Sequence, residues 1–220
     1  MGLDDIKRRI YAAEAAAGRA KGSVELIAVS KVQPAERVEA VLAEGQRIFG
    51  ENYVQEAQAK WPEWRSRFDG VKLHMIGPLQ SNKAKLAVGM FDAIHTLDRM
   101  SLARKLATAI ETLDRAADLF VQVNTGDEPQ KAGILPEELS GFLEQVRALN
   151  LKPQGLMCIP PESEDPVPHF RMLKKLAEAE GLEKLSMGMS ADFETAIAEG
   201  ATHIRVGSAI FGARDYSAKH

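Results

Sequence analysis

The chain has 220 residues, 45% of them hydrophobic, enough to bury a substantial core as one domain over residues 1–220. Its 28 Lys+Arg against 31 Asp+Glu leave a formal net charge of −3, which gives no bulk attraction to nucleic acid or to an anionic membrane. The lone cysteine, Cys158, excludes an intrachain disulfide and fits a reducing compartment.

The chain starts on the acidic stretch Met1-Gly2-Leu3-Asp4-Asp5-Ile6, with no signal-peptide core, and Ile6 breaks the myristoylation pattern. No apolar stretch approaches membrane-spanning length, so a soluble cytoplasmic protein is expected. A first amphipathic helix is predicted over Leu3–Arg19. Strands are predicted next at Leu26–Ser30, Arg47–Phe49, Lys72–Ile76, Ala93–Thr96, Leu119–Asn124, Gly155–Ile159, Leu185–Met187 and His203–Val206. Between them lie helical stretches such as Pro34–Ala43, Tyr53–Arg67, Ser101–Leu113, Pro136–Leu149, Pro168–Ala179 and Ala191–Ala198, several opened by proline or a capping residue. Eight short apolar strands, each followed by a helix or helical turn, suit a compact (β/α)₈ barrel. A doubly wound open sheet is the alternative, but the first strand–helix turn lacks a Gly-x-Gly-x-x-Gly fingerprint. Pro160–Pro168 reads as a stiff acidic loop, either a plain connection or part of a rim.

In such barrels ligands sit at the C-terminal ends of the strands. The first strand, Leu26-Ile27-Ala28-Val29-Ser30, delivers Lys31 there. Desolvation at such a place favours the neutral amine, the form that attacks carbonyls, although a strand-end lysine taken alone is commonly a solvated cap. The last strand runs through Arg205-Val206-Gly207-Ser208 into a short helix, a turn able to gather backbone N–H groups and a hydroxyl around a phosphate. In a closed barrel the last strand neighbours the first. A carbonyl-seeking lysine beside a phosphate cradle points to pyridoxal 5'-phosphate, which carries an aldehyde and a phosphate. His74 and His95 read as buried strand residues, and Cys158 as a small core residue. The five histidines and one cysteine show no metal-ligand spacing.

Six ordered motifs run almost end to end: Ala28-Val29-Ser30-Lys31; Phe49-Gly50-Glu51-Asn52-Tyr53-Val54-Gln55-Glu56; His74-Met75-Ile76-Gly77-Pro78-Leu79-Gln80-Ser81-Asn82-Lys83; Gly155-Leu156-Met157; Leu185-Ser186-Met187-Gly188-Met189-Ser190; and Arg205-Val206-Gly207-Ser208-Ala209-Ile210-Phe211-Gly212. Through them the chain resembles the pyridoxal phosphate homeostasis protein family, related to the N-terminal barrel of alanine racemase. The resemblance implies a (β/α)₈ barrel with a leading helix and pyridoxal phosphate as cofactor. Lys31 would form the internal Schiff base. Ser190, Gly207 and Ser208 would hold the phosphate, Arg205 would face the pyridine nitrogen, and Asn52 and Met157 would line the ring. Cys158 and Ser208 stand where the family commonly has threonine.

An arginine at the pyridine nitrogen opposes its protonation and weakens the cofactor as an electron sink. Two-face racemisation also needs a second base. The racemases supply it from a separate domain for which this chain has no room, and Tyr11, Tyr53 and Tyr216 are poor substitutes. The expected role is therefore a cofactor carrier or buffer, with no catalytic residue assigned and pyridoxal-phosphate-dependent apo-enzymes as candidate recipients. A weak amino-acid racemase is the alternative, and a Lys31 aldolase a third reading. Lys83, Lys85 and Lys131 are expected on the rim, solvated or a second landing point for the cofactor. A monomer is expected.

Overall fold

The computed structural model describes residues 2–212. Eight parallel strands form a closed barrel in chain order: β1 (Glu25–Val29), β2 (Ile48–Glu51), β3 (Lys72–Met75), β4 (Ala93–Leu97), β5 (Asp118–Gln122), β6 (Pro153–Met157), β7 (Lys184–Met189) and β8 (His203–Val206). Closure is made by β8 against β1, with Leu26 opposite Ile204 and Ala28 opposite Val206. The helices are α1 (Leu3–Ala16), α2 (Ala35–Ala43), α3 (Val54–Arg67), α4 (Ala84–Met90), α5 (Met100–Leu113), α6 (Leu139–Ala148), α7 (Pro166–Ala179), α8 (Phe193–Ala198) and α9 (Ser208–Phe211). Helices outside and a filled lumen inside bury the strands on both faces, which is why they read as apolar runs rather than alternations. Each helix need bury only one stripe. In α5 that stripe is Leu102, Ala103, Leu106 and Ala109, at helical spacing.

The architecture is the barrel expected from the sequence, with four local differences. First, α1 stops at Ala16 instead of Arg19, because Gly18 takes a left-handed turn at φ +68°. The Arg19 guanidinium then reaches the carbonyls of Ile197 and Ala201, tying the leading helix to the last β/α unit. Second, α7 begins at Pro166, inside the stretch read as a loop, since the Asp165 carboxylate accepts from the Val167 N–H and caps a helix with proline in its first turn. Third, a helix the sequence reading did not single out, α4, follows a 3₁₀ turn at Ser81–Lys83. Fourth, β6 runs over Pro153–Met157, two residues earlier than expected.

The upper lumen is polar. Arg205 on β8 donates to Ser186 Oγ on β7 at 2.7 Å and to the carbonyl of Cys158 at 2.9 Å. Ser186 Oγ lies 2.8 Å from His95 Nδ1 on β4, and His95 Nε2 lies 3.1 Å from His74 Nδ1 on β3. An arginine can only donate, so the Ser186 proton goes to His95 Nδ1, which assigns each imidazole its tautomer. Burial pulls the His74 pKa down to about 4, with help from His203, and pulls His95 well below the usual histidine value. Both rings are therefore neutral and fully embedded, His95 stacking on Phe120 at 4.2 Å. Cys158 is buried too, its thiol pushed up to about 12, which excludes it as a nucleophile.

Candidate functional site

Lys31 lies two residues past the end of β1, on a turn held from both sides. Before it, Ser30 is buried, its N–H donating to the Gly50 carbonyl and its hydroxyl to Glu51 Oε1 at 2.7 Å. After it, Val32 sits in the left-handed region at φ +57°, a strained place for a β-branched residue, with its N–H donating to Glu56 Oε1 at 2.8 Å. Glu51 also accepts from Trp61 Nε1 at 3.1 Å, while its second oxygen is buried without a hydrogen-bond partner. Burial pushes the Glu51 carboxyl up to about 7; Glu56 adds to the rise, and the donors Ser30 and Trp61 and the cation Lys60 oppose it.

Lys31 opens onto a cavity of about 360 Å³ at the C-terminal ends of the strands. Asn52 reaches it from the end of β2, passing so close to Gly77 that a Cβ there would stand 2.5 Å from the Asn52 carbonyl oxygen. Ser190 enters from the turn after β7. Before that turn β7 is irregular between Ser186 and Met189, which requires Gly188, at φ +94° with the Ala196 methyl 2.5 Å from any added Cβ. Gly207 and Ser208 close the cavity after β8, the Gly207 N–H donating to Ser190 Oγ at 3.3 Å. Arg205 forms part of the floor, buried and pulled below the usual arginine pKa by desolvation, yet firmly a cation.

Six of the seven residues singled out in the sequence thus meet in one cavity. The seventh, Met157, does not line it. With β6 ending at residue 157, its side chain packs a layer lower, against Ala93 and Phe120, and Ile159 lines the cavity in its place. Ile76 and Pro78 also line it and were not singled out as site residues, although the strand–Gly–Pro pattern after β3 marks where a chain leaves a barrel rim. The described lining combines two basic side chains, Lys31 and Arg205, with hydroxyls, backbone N–H groups and apolar walls, and no carboxylate is among the described residues. That donor set suits a small flat anion carrying a phosphate and a carbonyl, and the volume lies near the low end of small-molecule sites.

The family model described as alanine racemase, N-terminal domain, matches residues 2–215. The chain is 40% identical, over 98% of its length and 96% of the relative's, to a pyridoxal phosphate homeostasis protein of Vibrio cholerae. It is 42% identical to one of Pseudomonas aeruginosa, covering 97% and 94% of the two chains. This protein belongs to the pyridoxal phosphate homeostasis protein family. A solved structure of PipY from Synechococcus elongatus PCC7942 with pyridoxal phosphate bound superposes with a TM-score of 0.80 at 39% identity, covering 94% of this chain and all of that one.

The other lysines of interest lie outside the Lys31 cavity. Lys83 lines an adjoining cavity of about 310 Å³ with Tyr53 and Gln80, which shares Asn52 and Pro78 with the first, and Lys85 is exposed on α4. Lys131 pairs with Glu128 at 2.5 Å beside a third cavity, which shares Ile76, Pro78 and Ile159 with the first. Tyr11 is exposed on α1, and Tyr216 lies outside the described residues. Among the described residues, no group of three His, Cys, Asp or Glu is placed to hold a metal ion, and no helix is long and apolar enough to cross a membrane.

Proposed function

We infer that this protein binds pyridoxal 5'-phosphate through Lys31 and serves the cell's handling of that cofactor as a carrier or buffer rather than as an enzyme. One observation carries the reading. Lys31, Arg205 and the Ser190–Gly207–Ser208 turn, from opposite ends of the sequence, converge on a single cavity. The relatives' name and the PipY complex support it.

The residues divide the work by chemistry. The Lys31 amine condenses with the aldehyde, forming a carbon–nitrogen bond with loss of water. The Ser190 and Ser208 hydroxyls and the Gly207 turn would receive the phosphate and Arg205 would face the ring, all four lining the cavity. Bound pyridoxal phosphate supplies an electron sink that is strongest when its ring nitrogen is protonated. Arg205 donates only and is already committed to Ser186 and the Cys158 carbonyl, so it opposes that protonation. Among the described residues lining the cavity, Lys31 is the one side chain able to take up a proton as a base; no histidine, tyrosine, cysteine or carboxylate joins it. Tyr53, 58% exposed, belongs to the neighbouring cavity. A two-base racemisation therefore finds no second base among the described residues of the cavity.

The test is the visible spectrum of purified protein incubated with pyridoxal phosphate, wild type against Lys31→Ala, followed by borohydride reduction and peptide mapping. Expected are a yellow wild type with cofactor fixed on Lys31, a colourless variant, and no racemisation of L-alanine by the loaded protein. A colourless wild type removes the binding reading, and steady Lys31-dependent racemisation removes the carrier reading.

A further inference from the structure

The support behind Lys31 has a form that binding alone does not require. The two residues flanking Lys31 are each hydrogen-bonded to a different glutamate of the β2–α3 segment: Ser30 Oγ to Glu51 at 2.7 Å, and the Val32 N–H to Glu56 at 2.8 Å. The first bond lies on the outer face of the barrel, under Trp61; the second holds a backbone conformation that valine adopts only under strain. Between them the lysine has no slack in its own backbone. Neither glutamate lines the cavity, so neither touches a ligand.

We propose that Glu51 and Glu56 are positioning residues for Lys31, one gripping the residue before it and the other the residue after it, and that ionisation of Glu51 tightens its hold on Ser30, because a hydroxyl donates more strongly to a carboxylate than to a neutral carboxyl. The proposal rests on Lys31 being the attachment point. Both hydrogen bonds to Glu51 arrive on the same oxygen, and the other oxygen is buried without a partner. A protonated carboxyl suits that arrangement, because the bare oxygen carries the proton. A carboxylate does not, because half its charge then faces no donor. The charges acting on Glu51 are Glu56 and Lys60, both on α3, and these two are paired with each other at 2.8 Å; β1 contributes the Ser30 hydroxyl, and α3 also the Trp61 indole. Lys60 is the nearby cation able to answer a new charge on Glu51. Burial of Glu51 brings this switch to near-neutral pH.

The experiment measures the dissociation constant of pyridoxal phosphate, with borohydride-trapped occupancy of Lys31, at pH 6 and pH 8.5 for wild type, Glu51→Gln, Glu56→Ala and Glu56→Gln. The ratio of a variant to wild type cancels the titration of Lys31 and of the cofactor. Glutamine at 51 reproduces the protonated carboxyl, so Glu51→Gln should match wild type at pH 6. It should then bind about fivefold more weakly than wild type at pH 8.5, the difference between a hydrogen bond to a carboxylate and one to a neutral amide. Glu56→Ala should weaken binding by about the same factor at both pH values, with Glu56→Gln restoring it. In ligand-free protein the Val32 amide should exchange with solvent faster in Glu56→Ala, a readout independent of the cofactor. Wild type that never attaches pyridoxal phosphate to Lys31 defeats the functional reading itself. Normal attachment with a pH-independent Glu51→Gln ratio, or with unchanged Val32 exchange in Glu56→Ala, overturns the positioning proposal alone.

Discussion

The two basic side chains of the cavity rest on supports of opposite design. Behind Arg205 stands a chain of neutral groups, Ser186, His95 and His74, in which each link has its partner. Behind Lys31 stands a carboxyl with one oxygen doubly bonded to donors and the other bare. The first support is closed to protons at neutral pH; the second is poised to lose one. A site can thus keep one end of a ligand fixed while leaving the other adjustable, using the same few polar side chains.

The sharpest way to break this contrast is a pH series. His74 and His95 are held below the 6.5 of an ordinary histidine, so the folded state binds fewer protons than the unfolded one just below that value, and stability is lost as pH falls. For His74, pulled to about 4, the loss between pH 6.5 and 4 is on the order of 3 kcal/mol. Glu25, held at about 2 by His203, adds to the loss at the lower edge of that window, where the unfolded carboxyl takes up a proton and the folded one does not. Glu51 acts with the opposite sign: raised from 4.5 to about 7, it costs stability as pH rises through that interval. Urea unfolding should show wild type losing stability below pH 6.5. The stability of Glu51→Gln relative to wild type should grow by about 3 kcal/mol from pH 5 to pH 8. A constant difference would place Glu51 with the fixed support after all.

A smaller effect is expected at the other end. Ser186→Ala removes one acceptor from a buried guanidinium and one donor from His95, and should cost about 2 kcal/mol. Denaturant midpoints should show that cost unchanged between pH 7 and pH 9, as a support without a proton to lose requires. The smallest effect is at Val32. Glycine there relieves a left-handed strain of roughly 1–2 kcal/mol and adds unfolded-chain entropy of roughly 0.5–1 kcal/mol, so Val32→Gly should shift stability by less than about 1 kcal/mol. A loss well beyond that would mean the half-exposed valine side chain, rather than its N–H bond to Glu56, holds the turn.

The barrel was legible because its strands are buried on both faces and its helices start at recognisable caps and prolines. The cavity was legible because its residues follow strand ends, where chemistry in this architecture collects. What escaped depended on register or on three-dimensional packing. A two-residue shift of β6 exchanged Met157 for Ile159 at the cavity, and apolar runs do not reveal where a strand stops. The start of α7 within Pro160–Pro168 was hidden by a composition that also suits a loop. His74 and His95 were expected to be buried and hydrogen-bonded, yet their link to Arg205 spans β3, β4, β7 and β8 and has no sequence spacing. Glu51 stood in a quoted motif without a role, since only the approach of Ser30 and Trp61 to one of its oxygens sets it apart.

Closure of the barrel by β8 against β1 also fixes when the cavity can exist. Lys31 is made early during synthesis, whereas Arg205, Gly207 and Ser208 are made near the end. A nascent chain carries the reactive amine long before it carries the groups that recognise a phosphate, and loop-closure entropy must be overcome across nearly the whole length before the two meet. On the proposed reading, capture of an aldehyde at this place is a property of the finished fold, and a chain interrupted before its last strand would have the nucleophile without the selectivity.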